Sequence, residues 1–219
     1  MTALLVVAKA PVPGQAKTRL CPPLTPAQAA EVAAASLLDT LDAVTATPGV
    51  RPVAAMTGDL GAATGGGALR AALRSWTVLG QRGETFGQRL AAAHADTSAA
   101  LPGVPVLQVG MDTPQVTADL LTDACSRLAT ADAVLGLAED GGWWAVGFRD
   151  PRHSALLEDV PTSRDDTGSR TLAALRQRGL RVEPLPRLSD VDTVEDAARV
   201  AELVPRSRFA ASLPAGALR

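Results

Sequence analysis

The sequence predicts a single α/β domain built on a mixed, mainly parallel sheet with helices on both faces. Short apolar segments alternate with helical segments over residues 1–140, a pattern typical of parallel strands joined by helices. The alternation breaks at residues 140–144, where we expect an added antiparallel strand. No repeat or long linker divides the 219 residues. We therefore predict one domain over residues 1–204 and a peripheral or frayed tail over residues 205–219.

Strand and helix signals appear in a regular order along the chain. Thr25 and Pro26 form a strong helix start, because threonine caps helices well and proline suits the first helical position. Pro48 and Gly49 end that helix. The predicted strands cover residues 3–8, 51–56, 76–79, 104–109, 133–137, 143–148 and 180–184. The predicted helices cover residues 26–46, 68–74, 88–99, 117–128, 169–178 and 194–203.

Composition excludes several classes of protein. Hydrophobic residues make up 47% of the chain, which indicates a globular protein rather than a disordered one. A net charge of −2 argues against a nucleic-acid-binding surface. No apolar run reaches the roughly 18 residues of a membrane span. The two cysteines are far apart and suit a reducing cytoplasm, so we expect a cytoplasmic protein; the sequence does not indicate its oligomeric state.

The loop after the first strand concentrates positive charge. Lys9, Lys17 and Arg19 lie within eleven residues that contain two prolines and Gly14 but no acid. Glycine lets the main chain approach an anion closely, and lysine and arginine neutralise it. A solvated basic loop is the alternative. We favour a polyphosphate site, because ligands of open α/β sheets bind at the carboxyl ends of strands.

Asp112 follows the fourth predicted strand directly, on a turn between Gly110 and Pro114. A carboxylate at this place suits Mg²⁺, which is commonly held by one or two carboxylates with water and phosphate. Asp112 could instead cap the next helix, although Thr117 is available for that role.

Asp190 and Asp192 alternate along an extended segment, so we expect only one of them to face the site. Capping of the last helix is the alternative role, because Asp192 or Thr193 could begin it. The residues alone leave these two interpretations equal.

Residues 140–144, with the sequence DGGWW, combine a carboxylate, two glycines and two tryptophans. Such a turn can wall a small-molecule pocket. Neighbouring side chains on a strand face opposite sides, so we expect one of Trp143 and Trp144 to be a core residue. His94 and His153 have no evident partner and are predicted to be surface residues.

Five segments together resemble the nucleotide-diphospho-sugar transferase (GT-A) superfamily. Within it the chain is similar to a bacterial family labelled as glycosyltransferases, whose motifs occur here in order between residues 9 and 196. They read KAPVPGQAKTRL, QRGETFGQR, GMDTP, DGGWW and DVDTVED. The opening also resembles phospholactate guanylyltransferases, and DVDT resembles a segment of molybdenum-cofactor guanylyltransferases. The resemblance implies a single Rossmann-like GT-A domain.

The resemblance also implies roles for single residues. The phosphates of a nucleotide would be held by Lys9, Gly14, Lys17 and Arg19, and the base would lie near Gln81 and Gly83. Asp112 would bind Mg²⁺, or alternatively Mn²⁺, and Asp192 would be the second ligand in preference to Asp190. The acceptor would be lined by Asp140, Gly141, Gly142 and Trp143.

The reaction expected from these roles is a Mg²⁺-dependent nucleotidyl transfer. An NTP would give its NMP to a small phosphorylated acceptor and release pyrophosphate, with Lys17, Arg19 and Asp112 as the catalytic groups. One alternative is a glycosyltransferase that uses a nucleotide-sugar on the same fold. A second alternative is a nucleotide-binding protein without turnover.

Overall fold

A computed structural model of the protein describes residues 1–214. The strands are β1 (Thr2–Lys9), β2 (Val50–Thr57), β3 (Thr77–Gly80), β4 (Val106–Val109), β5 (Ala133–Leu137), β6 (Trp143–Phe148) and β7 (Val182–Pro184). The α-helices are α1 (Pro26–Ala46), α2 (Gly66–Ala72), α3 (Phe86–Ala100), α4 (Ala118–Thr130), α5 (Thr167–Gln177), α6 (Val194–Leu203) and α7 (Arg208–Ser212). The 3-10 helices cover Thr18–Leu20, Leu73–Ser75 and Pro151–Asp159.

The seven strands form one sheet in the order β3-β2-β1-β4-β6-β5-β7. Parallel ladders join β1 to β2 and β4, β2 to β3, and β5 to β7. Strand β6 runs antiparallel to both of its neighbours, β4 and β5. The predicted α/β fold and its added antiparallel strand are therefore confirmed.

Strand β1 is central because both of its faces are buried. Leu4 and Val6 belong to the apolar cluster that also includes residues of α1, α2 and α4. Leu5 and Val7 belong to the opposite cluster, with residues of α3, α5 and the Pro151–Asp159 helix. A strand that is covered on both faces has a continuous apolar sequence, and for this reason β1 was predictable.

A third apolar cluster joins the segment after β1 to the segments after β7. It contains Leu20 from the basic loop, Val191, Val200 from α6 and Phe209 from α7, all at most 1% exposed. Of the two alternatives for the tail, peripheral or frayed, the frayed arm does not hold for the residues up to 214, because α7 packs there through the Phe209 ring. The predicted boundary at residue 204 stays a prediction, and residues 215–219 lie outside the described residues.

Within residues 1–214, none of the helices combines the length and the apolar character needed to cross a membrane. Cys21 and Cys125 are both free thiols.

The prediction that His94 is a surface residue is wrong. Its side chain is completely buried on α3, with the ring edge-on to Phe148 at a centroid distance of 5.2 Å. Neither ring nitrogen has a hydrogen-bond partner among the described residues. Burial lowers the pKa of His94 from 6.5 to about 3, and the Gln108 side chain opposes this shift only in part. The imidazole is therefore neutral in the folded protein at ordinary pH.

Acidification should destabilise the protein partly through His94. The unfolded chain binds a proton at this side chain below pH 6.5, whereas the folded chain does so only near pH 3. Stability from this source is complete above pH 6.5 and falls as the pH decreases, by about 2 kcal/mol at pH 5. Urea denaturation at pH 7.5 and pH 5 should show this extra loss in the wild type and not in His94→Leu. Equal losses in both proteins would rule out the assigned role of His94.

Candidate active site

The basic loop is shaped so that Lys17 turns inward. Lys17 has a left-handed backbone with φ of 50°, an unusual conformation for a residue with a side chain. It directly precedes the short Thr18–Leu20 helix. Leu20 is completely buried in the same cluster as Val191, so the loop is held against the segment that carries Asp190 and Asp192.

The Lys17 ammonium lies between two carboxylates from distant parts of the chain. Its Nζ is 2.7 Å from Asp112 Oδ1 and 3.2 Å from Asp192 Oδ1, and it also donates to the carbonyl of Val191. The side chain is only 9% exposed. Burial alone would lower the pKa of Lys17, but the two carboxylates overcome this effect and raise the pKa above 10.5. The side chain is therefore protonated at neutral pH.

Arg19 contacts the other oxygen of the same aspartate. Its Nη1 lies 2.9 Å from Asp192 Oδ2, and its side chain is 72% exposed. Asp192 thus pairs with one buried and one exposed cation. The structure brings Lys17, Arg19, Asp112 and Asp192 together in one place.

Other residues cap the helices that follow the two aspartates. Thr117 accepts a hydrogen bond from the Leu120 N–H at the start of α4, and Thr193 accepts from the Asp196 N–H at the start of α6. The capping alternatives for Asp112 and Asp192 therefore do not hold. Both carboxylates instead pair with cations, Asp112 with Lys17, and Asp192 with Lys17 and Arg19.

Asp190 lies beside this cluster with one buried oxygen. Its Oδ1 has no hydrogen-bond partner among residues 1–214. Burial, then the negative charges of Asp140 and Asp112, raise the pKa of Asp190 to about 7 against the opposing effect of Lys17. Alternation along the segment predicted that only one of Asp190 and Asp192 faces the site, but Asp190 also lies close enough to Asp112 to be affected by its charge.

The site has an excess of acid that fits a hard divalent cation. Asp112, Asp190 and Asp192 outnumber Lys17 and Arg19, and Asp140 is near enough for its charge to act on Asp190. Among residues 1–214, no group of three or more His, Cys, Asp or Glu side chains is arranged to hold a metal ion. Asp112 and Asp192 nevertheless reach a common point with one oxygen each, and two carboxylates are a usual protein contribution to a Mg²⁺ site.

Of the remaining residues predicted to bind nucleotide, some are exposed to solvent and one is hydrogen-bonded to the sheet. Lys9, the last residue of β1, and Gly14, on the basic loop, are both exposed. The Gln81 side chain is instead tied into the sheet, because its Nε2 donates to the carbonyls of Ala8 and Ala55, both at 2.9 Å. The structure thus shows a bracing role for Gln81, and its predicted closeness to a base stays a prediction.

Gly83 is needed for the packing of the turn before α3. It has a φ of +126°, and a Cβ there would lie 2.8 Å from Gln88 Cβ. This requirement belongs to the fold and is independent of any ligand.

The start of α5 packs against the DGGWW turn, so the turn is not an open loop. The Gly141 carbonyl accepts from the Gly168 N–H at 2.7 Å, and the Asp140 carboxylate accepts from the Gly142 N–H at 2.8 Å. Trp144 is 2% exposed and Trp143 is partly buried, which confirms the expectation of one core tryptophan. The acceptor-lining role of this turn stays a prediction.

Sequence reasoning missed the hydrogen bonds that hold the two acidic loops side by side. The Val191 N–H donates to the Asp112 carbonyl at 3.0 Å, and Gln115 Nε2 donates to the Ser189 carbonyl at 2.6 Å. Ser189 in turn donates to Glu139 at 2.7 Å. Polar residues next to Asp112 and Asp190 were the available signal, but pairing between them could not be read from the chain.

Solved structures with the same fold include nucleotide-handling transferases. A Desulfovibrio desulfuricans G20 protein described as a candidate nucleotide-diphospho-sugar transferase is 26% identical, with a TM-score of 0.83 over 97% of this chain and 94% of that one. CMP:2-keto-3-deoxy-manno-octonic acid synthetase complexed with CTP is 10% identical, with a TM-score of 0.57 over 94% and 99%. Rv0371c of Mycobacterium tuberculosis H37Rv, complexed with manganese, is 20% identical, with a TM-score of 0.56 over 92% and 99%.

A comparison with curated proteins finds none that matches. The model of the family DUF2064, described as an uncharacterized protein conserved in bacteria, matches residues 40–164. This match spans more than half of the chain and includes both Asp112 and the DGGWW turn. The fold is that of nucleotide-diphospho-sugar transferases and cytidylyltransferases, and the chain belongs to the bacterial family DUF2064.

Proposed function

We propose that this protein is a Mg²⁺-dependent nucleotidyltransferase that transfers NMP from an NTP to a small phosphorylated acceptor and releases pyrophosphate. The observation that supports this most is the meeting of Lys17 and Arg19 with Asp112 and Asp192 at one edge of the sheet. Transferases among the proteins of the same fold favour an enzyme over a nucleotide-binding protein without turnover.

Asp112 and Asp192 would hold the metal ion, which supplies neutralisation of the charge that develops on the phosphates. Lys17 and Arg19 would contact the β- and γ-phosphates and stabilise the departing pyrophosphate. Lys9 and Gly14 would border the same phosphates from the exposed part of the loop. Binding, orientation and charge neutralisation account for catalysis of this kind.

The acceptor needs no general base if its nucleophile is a phosphate. A phosphate monoester is already ionised near neutral pH, so its oxygen can attack the α-phosphorus directly. Asp140, Gly141, Gly142 and Trp143 would lie on the acceptor side.

A second candidate function is glycosyl transfer from a nucleotide-sugar. It is favoured by the high structural similarity to the Desulfovibrio protein described as a candidate nucleotide-diphospho-sugar transferase. This reaction would release a nucleoside diphosphate and move the sugar. A loop with three cations suits a leaving pyrophosphate better, which is why we place nucleotidyl transfer first.

Product analysis separates the two reactions. We expect pyrophosphate to form from at least one of the four common NTPs in the presence of Mg²⁺ and a mixture of small phosphorylated acceptors. EDTA should stop the reaction, and excess Mg²⁺ should restore it. Release of a nucleoside diphosphate from nucleotide-sugars, without consumption of any NTP, would contradict the first proposal and support the second.

A further inference from the structure

The cations that the proposed function assigns to the triphosphate are bound here to the carboxylates that it assigns to the metal. Lys17 Nζ contacts Asp112 Oδ1 at 2.7 Å and Asp192 Oδ1 at 3.2 Å. Arg19 Nη1 contacts Asp192 Oδ2 at 2.9 Å. Each of these charged groups therefore already has a partner within the protein, and the oxygens and nitrogens that make these contacts cannot bind metal or phosphate at the same time.

The Lys17 ammonium has the surroundings of a bound cation. Its oxygen neighbours are two carboxylates and the Val191 carbonyl, which are the kinds of ligand that hard divalent ions prefer. With 9% of the side chain exposed, the ammonium occupies the space between the facing oxygens of Asp112 and Asp192. Asp112 and Asp192 could hold a divalent ion at this place only after the ammonium had moved away.

We propose that Lys17 is a built-in competitor of the divalent ion, and that the nucleotide relieves this competition by giving the ammonium phosphate oxygens to contact. The inference rests on the proposed function for the identity of the nucleotide site. Metal alone would bind weakly, and metal with nucleotide would bind tightly. By linkage, the metal would strengthen nucleotide binding by the same factor.

The exchange requires movement of the Lys17 side chain and leaves the base of the loop in place. Leu20 is completely buried in the cluster that also holds Val191, so the loop is anchored three residues after Lys17. Gly14, on the solvent side of the loop, has no atom within 4 Å of the position of a Cβ. The loop around Lys17 therefore has open space on its outer side and a fixed inner end.

Calorimetric titration with Mn²⁺ in the absence of nucleotide tests the competition directly. Lys17→Met removes the competing charge but keeps the length of the side chain, so it should bind Mn²⁺ at least about tenfold more tightly than the wild type. Arg51→Met is the control, because it removes one positive charge from an exposed position at the end of β2 that is remote from the basic loop. It should change the affinity by less than about twofold. Equal affinities of wild type and Lys17→Met would overturn the proposal.

Nuclear magnetic resonance of the wild type provides a second test that does not depend on the folding of a variant. Lys9 and Lys17 are the only lysines among the 219 residues, so ¹⁵N-lysine labelling gives two side-chain ammonium signals at most. The signal that is lost in Lys9→Arg belongs to Lys9, and the other signal belongs to Lys17. We expect the buried Lys17 signal to shift when Mg²⁺ and a non-hydrolysable NTP are added together, and to shift little with Mg²⁺ alone at the same concentration. An unchanged Lys17 signal at saturating Mg²⁺ and nucleotide would contradict the inference.

The competition between Lys17 and the metal ion can be refuted independently of the proposed nucleotidyl transfer. Tighter Mn²⁺ binding by Lys17→Met without any NTP turnover in the wild type would support the competition and refute nucleotidyl transfer. Pyrophosphate release by the wild type, with equal Mn²⁺ affinity in the wild type and Lys17→Met, would support nucleotidyl transfer and refute the competition.

Discussion

Replacement of Asp112 by asparagine should lower turnover by about a thousandfold or more, whichever of the two transfer reactions the enzyme performs. Asparagine has nearly the same shape but no charge, so one of the two carboxylates that reach the common cation position is lost. The loss should appear in kcat as well as in kcat/KM, because the charge on the phosphates is greatest in the transition state. Steady-state kinetics with Mg²⁺ varied over a wide range measures both.

Asp119→Asn is the matched control for this change. Asp119 is exposed on the first turn of α4, seven residues further along the chain, so the same loss of charge should leave turnover within about twofold of the wild type. Asp112→Asn with more than a tenth of the wild-type kcat would refute the metal-binding role. A fall caused by unfolding would be visible as a lowered melting temperature, which we do not expect because Lys17 keeps its contact with Asp192.

Gly141→Ala should destabilise the protein by about 3 kcal/mol or more. A Cβ at this position would lie 1.8 Å from the Asp165 carbonyl oxygen and 2.4 Å from its carbon, so backbone would have to move. The φ of +89° adds the strain of a left-handed conformation. Urea denaturation, monitored by tryptophan fluorescence, gives the change in unfolding free energy.

Gly49→Ala separates the cost of the positive φ from the cost of the contact with Asp165. Gly49 also has a positive φ, of +71°, but its Cβ would meet no atom within 4 Å. This control should therefore lose only about 1 kcal/mol, which is the cost of the conformation alone. Equal losses for the two variants would mean that contact between the DGGWW turn and residue 165 does not constrain the fold.

The sheet was predictable because its strands carry local signals. The continuous apolar run of β1 indicates burial on both faces, and glycine and proline mark where β1 and α1 end. The break at residues 140–144 correctly predicted that β6 is antiparallel. Strand limits differ from the prediction by one or two residues at several ends, as for β4 and β7, because local composition does not fix the last hydrogen bond of a ladder.

The general position of the site followed from the rule that parallel strands end at the same edge. Lys17 follows β1 and Asp112 follows β4, and these strands are hydrogen-bonded neighbours. Their side chains therefore had to be close if both loops turned the same way. The 2.7 Å contact between them agrees with that expectation, whereas the roles assigned to the site residues stay predictions.

Contacts between distant segments could not be predicted in this way. Gln81 braces the ends of β1 and β2, His94 is buried against Phe148, and Phe209 anchors α7. Each of these side chains is amphipathic or isolated in the sequence, so its burial depends on which surface the folded chain brings to it. Periodicity within one segment does not contain that information.

The account depends most on the claim that the basic loop and the acidic loops bind one metal–nucleotide unit. A crystal structure with Mn²⁺ and a non-hydrolysable NTP, with the anomalous signal of manganese recorded, tests it directly. We expect a manganese peak bound by Asp112 and Asp192, with the Lys17 ammonium moved onto the phosphates. A manganese peak away from both aspartates, or a triphosphate bound away from residues 9–19 and 190–192, would contradict the account.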